Sequence, residues 1–144
     1  MSVPRRIVVG VDGSAVARRA LSWAVDLAQA IGAEVVAVHA LGLLTQVSGA
    51  TAPVVEHRHE VARAFEDEWC APLRHSAVEH RCVLVDGNPV TALAAAAEEL
   101  GAGLVVVGSR GTGGFPGLQL GSTSHQLVQH STTPVVVIPP ERGR

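Results

Sequence analysis

Lysine is absent, and all 11 basic residues are arginine. That absence removes the phosphate-binding loop ending in Gly-Lys-Ser/Thr, and with it any Schiff-base chemistry. Cysteine is scarce: Cys70 and Cys82 are the only thiols. Neither belongs to a Cys-x-x-Cys pair and both sit in apolar or helical sequence, so they read as free buried thiols rather than a disulfide or metal site. Such thiols suit a reducing cytoplasm. Long apolar runs are also missing near the start of the chain. After Arg5-Arg6 the run from Ile7 to Val11 is cut by Asp12, too short for a signal-peptide core or a membrane span, so a cytoplasmic protein is expected. Nor is there an excess of one charge: the net charge of −2 and pI of 6.4 give no reason to expect nucleic acid or a membrane as partner. Any phosphate site must be local.

Other chemistries lack their residue patterns. His57 and His59 are two apart on a helical segment and do not face one another, so no metal site is expected. His39, at a strand end, reads as a packed histidine rather than a catalytic base. Ser14 lies in no Gly-x-Ser-x-Gly elbow, so a hydrolase triad has no support.

What is present is 144 residues, 47% of them apolar, enough for one domain over residues 1–144 with a proper core. Residues 6–11 are a β-branched run that predicts a strand covered on both faces. Asp12-Gly13-Ser14 turns the chain. From Ala15 to Ile31, Ala17, Ala20, Leu21, Ala24, Ala28 and Ile31 recur at helical steps, with Ser14 as N-cap and Gly32 just past the end. Residues 34–40 predict a second strand. The passage from Gly42 to Pro53 reads as a long loop with a lid role, and residues 54–75 as one charged surface helix with Val61, Ala64, Phe65 and Trp69 turned inward.

A third strand over 81–85 precedes Asn88-Pro89, an N-cap and first-turn proline opening the helix Val90 to Leu100. The fourth strand, Leu104 to Val107, ends at Gly108 and enters a loop holding Gly111, Gly113, Gly114 and Gly117. A helix restarts after Gly121-Ser122 and runs to His130; a fifth strand covers Val135 to Ile138. Alternating strands and helices with apolar strands make an α/β fold, an open parallel sheet with right-handed crossovers and helices on both faces. Ligands in such sheets bind outside the strands' carboxyl ends, where the winding reverses. Strand, glycine-rich loop and helix N-terminus together make an anion cradle, with Gly121 to Ser124 expected to offer unpaired N–H groups and hydroxyls. Asp12 is weighed as a turn former against a ligand contact, Arg110, the only cation in the loop, as a surface side chain against a phosphate clamp, and Ser122 as a pure helix cap against a cap that also bonds phosphate.

Two separated pieces combine: Val9-Gly10-Val11-Asp12-Gly13-Ser14, and Gly108-x2-Gly111-x9-Gly121-Ser122. With Val38-His39 ending the second strand and Pro134-Val-Val-Val near the chain end, the sequence resembles the universal stress protein family. It is most similar to the branch that binds ATP through Gly-x2-Gly-x9-Gly-Ser/Thr. The resemblance implies a five-stranded sheet of order 3-2-1-4-5, Rossmann-like in the manner of the adenine nucleotide alpha hydrolases. It implies that Gly10, Val11, Asp12 and Ala40 line the adenosine end and that Val107 and Gly108 border the ribose. Gly111, Gly121, Ser122, Thr123 and Ser124 would hold the phosphates, with Arg110 and Gly114 counted in the same loop site.

With no lysine to neutralise a triphosphate, Mg²⁺ is expected to accompany ATP. No persuasive general base is present, so the function implied is a nucleotide-dependent regulatory module in the stress response, with at most slow ATP hydrolysis and no catalytic residue. The alternatives are a cyclic AMP-binding or nucleotide-free interaction protein of the same family, or a nucleotide-dependent enzyme of the same superfamily. The last lacks the His-x-Gly-His signature of nucleotidyl transferases. The apolar final strand invites pairing, and the resemblance implies a homodimer through it, with a further, unidentified protein partner.

Overall fold

A computed structural model describes residues 2–41, 51–110 and 120–141, with the backbone alone over 51–56. Its elements run β1 (Arg6–Gly10), α1 (Ala15–Ile31), β2 (Glu34–Ala40), α2 (Thr51–Ala64), a π-helical turn (Phe65–Trp69), α3 (Ala71–Arg74), β3 (His80–Val85), α4 (Pro89–Glu99), β4 (Leu104–Gly108), α5 (Ser122–His130) and β5 (Val135–Ile138). The strands pair in parallel as one five-stranded sheet of order β3-β2-β1-β4-β5. β1 and β4 are therefore the central neighbours, with Ile7, Val8 and Val9 in register with Leu104, Val105 and Val106. The winding reverses between them.

Period-two alternation sends neighbouring strand residues into opposite layers. Ile7, Val9, Val35, Ala37 and Val106 pack under Ala20, Leu21 and Ala24 of α1, with Phe65 and Leu73 completing that layer. Val8, Val36, Val38, Val105 and Val107 face Leu93 and Ala97 of α4 and Leu127 of α5. Both faces are covered, as the uninterrupted valine runs require.

Caps fix the helix starts. Ser14 Oγ accepts from the Ala17 amide at 3.1 Å, and Gly32 closes α1 in the left-handed region at φ 72°. Asn88 Oδ1 accepts from the Val90 and Thr91 amides at 2.8 and 3.4 Å, ahead of Pro89 in the first turn of α4.

Three expectations need correction or qualification. The single helix expected over 54–75 is broken: α2 already starts at Thr51, and a π-helical turn at Phe65–Trp69 separates it from the short α3. The extra residue per turn lets both Phe65 and Trp69 reach His39, at ring separations of 6.1 and 5.0 Å. Cys82 is exposed rather than buried, because β3 is an edge strand, whereas Cys70 is buried as expected. The lid expected over Gly42 to Pro53 lies outside the described residues except for its last three positions, which are the start of α2. Among the described residues no helix is long and apolar enough to cross a membrane.

Candidate functional site

The site is built at the carboxyl ends of β1 and β4. β1 hands over to Val11, whose amide donates to Val38 O at 2.9 Å and whose carbonyl accepts from His39 Nδ1 at 2.6 Å. A carbonyl can only accept, so this bond holds His39 in the Nδ1–H form. Burial pushes the His39 pKa below its ordinary value, against the smaller opposing pull of the Val11 carbonyl and the Asp12 charge. The ring stands edge-on to Trp69. His39 is thus a packed, neutral strut tying β2 to the β1 turn.

Asp12 Oδ1 accepts from the Ser14 amide at 3.0 Å, an Asx-turn that aims the chain into α1. Gly13 follows at φ 83°, with the Trp69 indole stacked so closely that a Cβ there would lie 2.6 Å from Cζ2. The turn is therefore clamped between a helix start and an aromatic ring.

On the β4 side, Gly108 has a definite steric reason. A Cβ there would meet Val16 Cγ1 at 2.7 Å, Val16 C at 3.1 Å and the Ala17 amide at 3.2 Å, so only glycine lets the first turn of α1 lie against the end of β4. Gly10 faces the opposite layer, against Leu93 and Val107. Ala40 ends β2 beside Val85 of the edge strand.

Ser109 is the junction of three elements. Its amide donates to Ile138 O at 2.8 Å, and its carbonyl accepts from the Gly121 amide at 2.6 Å. The Ser124 hydroxyl lies 3.1 Å from both Ser109 O and Gly121 O. With its backbone so used, Ser109 is 5% exposed, yet its Oγ has no hydrogen-bond partner among the described residues; neither does the buried Nε of Arg110. Unpaired polar atoms out of water on two consecutive residues are costly unless something else satisfies them.

This corrects part of the expected cradle. The Gly121 amide and the Ser124 hydroxyl are bonded within the protein, and the N-cap of α5 is Gly121, not Ser122. Gly121 carries no side chain to cap the helix, which leaves the amides of Ser122, Thr123 and Ser124 as the first-turn donors, with the positive end of the helix dipole. Ser122 is exposed, Thr123 half-buried. Gly10, Val11, Asp12, Ala40, Val107, Gly108, Arg110 and Gly121 to Ser124 all lie at strand ends or at the α5 start on the carboxyl edge of the sheet; Gly111 and Gly114 lie outside the described residues. Ser109 was missed by sequence reasoning. Its only signal is a hydroxyl placed directly after a buried strand.

Among the described residues no group of three or more His, Cys, Asp or Glu side chains is placed to hold a metal ion.

Comparison with known proteins agrees with this geometry. The sequence profile of the universal stress protein family matches residues 4–139. A universal stress protein from Mycolicibacterium smegmatis is 35% identical over 139 residues, covering 93% of this chain and 45% of its own length, so the chain spans less than half of that relative. Universal stress protein YxiE from Bacillus subtilis is 31% identical over 144 residues, covering 92% of this chain and 97% of its own. Among solved structures, a universal stress protein in complex with cAMP superposes with a TM-score of 0.67 at 30% identity, covering 96% of this chain and 98% of the other. The chain belongs to the universal stress protein family.

Proposed function

We propose that the protein is a nucleotide-dependent regulatory module of the stress response that binds ATP with Mg²⁺ at the β1–β4 crevice. The observation that carries this reading is the buried Ser109 Oγ, without a hydrogen-bond partner among the described residues, on the residue whose carbonyl holds the Gly121 amide at the uncapped start of α5; the equally unpartnered, buried Arg110 Nε belongs to the next residue. A phosphate would accept from both, and from the first-turn amides of Ser122 and Thr123. Gly10, Val11, Asp12 and Ala40 would border the adenosine, Val107 and Gly108 the ribose, and Gly111, Gly114 and Gly121 the close approach of the phosphates. Mg²⁺ would be held chiefly by the phosphate oxygens and would supply the charge neutralisation that one arginine cannot. His39 is neutral and committed to Val11, so no poised base stands at this point of the site, and any hydrolysis is slow.

A second reading has its own support. One solved relative is a complex with cAMP, and internal bonding of the Gly121 amide leaves fewer donors for a polyphosphate. Calorimetric titration with ATP, ADP and cyclic AMP, each with and without EDTA, separates them: preference for ATP that weakens in EDTA supports the first reading, preference for cyclic AMP indifferent to EDTA the second. The edge position of β5 supports a proposed homodimer through Pro134 to Ile138, and sedimentation giving only monomer at micromolar concentration refutes that dimer; the proposed location is the cytoplasm.

A further inference from the structure

Outside the crevice, the two cysteines meet. Cys82 lies on β3 in register with Ala37, on the face that packs under α1 and the π-helical turn. Cys70 ends that turn: its amide donates to Phe65 O at 3.0 Å, and its side chain is 1% exposed in the same layer. The fold places the two thiols as interacting neighbours in the gap between edge strand and helix, one buried and one open to solvent.

We propose that Cys70 and Cys82 are a modification site: on contact with a hydroperoxide they form a reversible disulfide within one chain, Cys82 attacking and Cys70 resolving. The chemistry balances in two steps. The Cys82 thiolate attacks the terminal oxygen of the peroxide, forming an S–O bond as the O–O bond breaks and giving a sulfenic acid; the other oxygen leaves as hydroxide and is protonated to water, or as alkoxide and is protonated to the alcohol. The Cys70 sulfur then displaces hydroxide from that sulfenic acid, its own proton completing a second water, and the S–S bond forms. Two thiols are oxidised, and one peroxide is reduced.

The roles follow from the surroundings. Cys82 is exposed, and the Cys70 contact draws its pKa down to about 7, helped by the charge of His80 and Arg74 and opposed by burial and Glu66. Cys70 is pushed up by the same contact and by burial, so it holds its proton until a sulfenic acid appears beside it. The modification goes beyond nucleotide binding and is read without any nucleotide present. It sits one residue from Trp69, the ring that covers Gly13 and His39.

The test treats the reduced full-length protein with hydrogen peroxide, blocks remaining thiols with iodoacetamide and digests after arginine. Cleavage at Arg74 and Arg81 separates the cysteines, so the disulfide appears as two joined peptides that dithiothreitol releases. Both thiols should become unreactive together, at monomer mass. Cys70→Ser should stop at a Cys82 sulfenic acid trapped by dimedone, and Cys82→Ser should leave Cys70 reduced, reacting at least about tenfold more slowly. Complete alkylation after peroxide, a disulfide joining two chains through Cys82 alone, or equal reactivity of the two single variants would each overturn the proposal.

Discussion

Ser109 carries the most weight of any single side chain, because its hydroxyl is buried and unanswered among the described residues while its backbone serves three elements. Removing an unsatisfied buried hydroxyl costs the folded protein little or stabilises it, whereas removing a ligand contact weakens binding. Ser109→Ala should therefore keep or raise the urea midpoint while lowering nucleotide affinity about tenfold. A variant that loses stability instead would show that the hydroxyl is satisfied within the chain. Gly108→Ala behaves in the opposite way: its Cβ would strike the backbone of Val16 and Ala17, so a loss of about 1–3 kcal/mol is expected in denaturant unfolding.

His39 adds a pH dependence. Its folded pKa is held below the ordinary 6.5 by burial, so the unfolded chain takes up the proton first as pH falls. The His39 contribution is then fully present above pH 6.5 and is lost progressively below it, down to the lower folded value. Unfolding titrations across that window should show stability falling on acidification, with a shallower fall in His39→Gln. The glycines and Asp12 were legible as residues that turns need. Ser109 was not, since a hydroxyl's lack of a partner depends on how β5 and α5 use the surrounding backbone.

At the level of elements, the helix starts were the most legible feature, because caps act within three residues of sequence. Ser14→Ala and Asn88→Ala should each cost about 1 kcal/mol, measured by chemical denaturation, since each side chain satisfies orphan amides at its helix start. The α5 start differs: with Gly121 as N-cap, a substitution at Ser122 removes no cap. The π-helical turn was illegible for a physical reason. Its Phe65 and Trp69 close on His39 at the end of β2, a contact distant in sequence, and a helical pattern of apolar residues carries no mark of one extra residue. The bonded Gly121 amide was hidden likewise, since its acceptor is a carbonyl twelve positions earlier whose place depends on the sheet.

For the whole molecule, the parallel α/β sheet followed from alternating elements and uninterrupted apolar strands, whereas the strand order β3-β2-β1-β4-β5 was implied only by the family resemblance. That order brings the β1 turn and the end of β4 to one crevice. Five strands and two packed layers thus converge on a small set of polar atoms without partners among the described residues, which we propose a nucleotide phosphate answers. Calorimetry of the intact protein with Mg²⁺–ATP, repeated on Arg110→Ala, tests this most directly. One site per chain is expected, with a Kd on the order of micromolar, weakened at least about tenfold by Arg110→Ala without loss of stability. Absence of binding at millimolar nucleotide, or identical affinity in the variant, would contradict it.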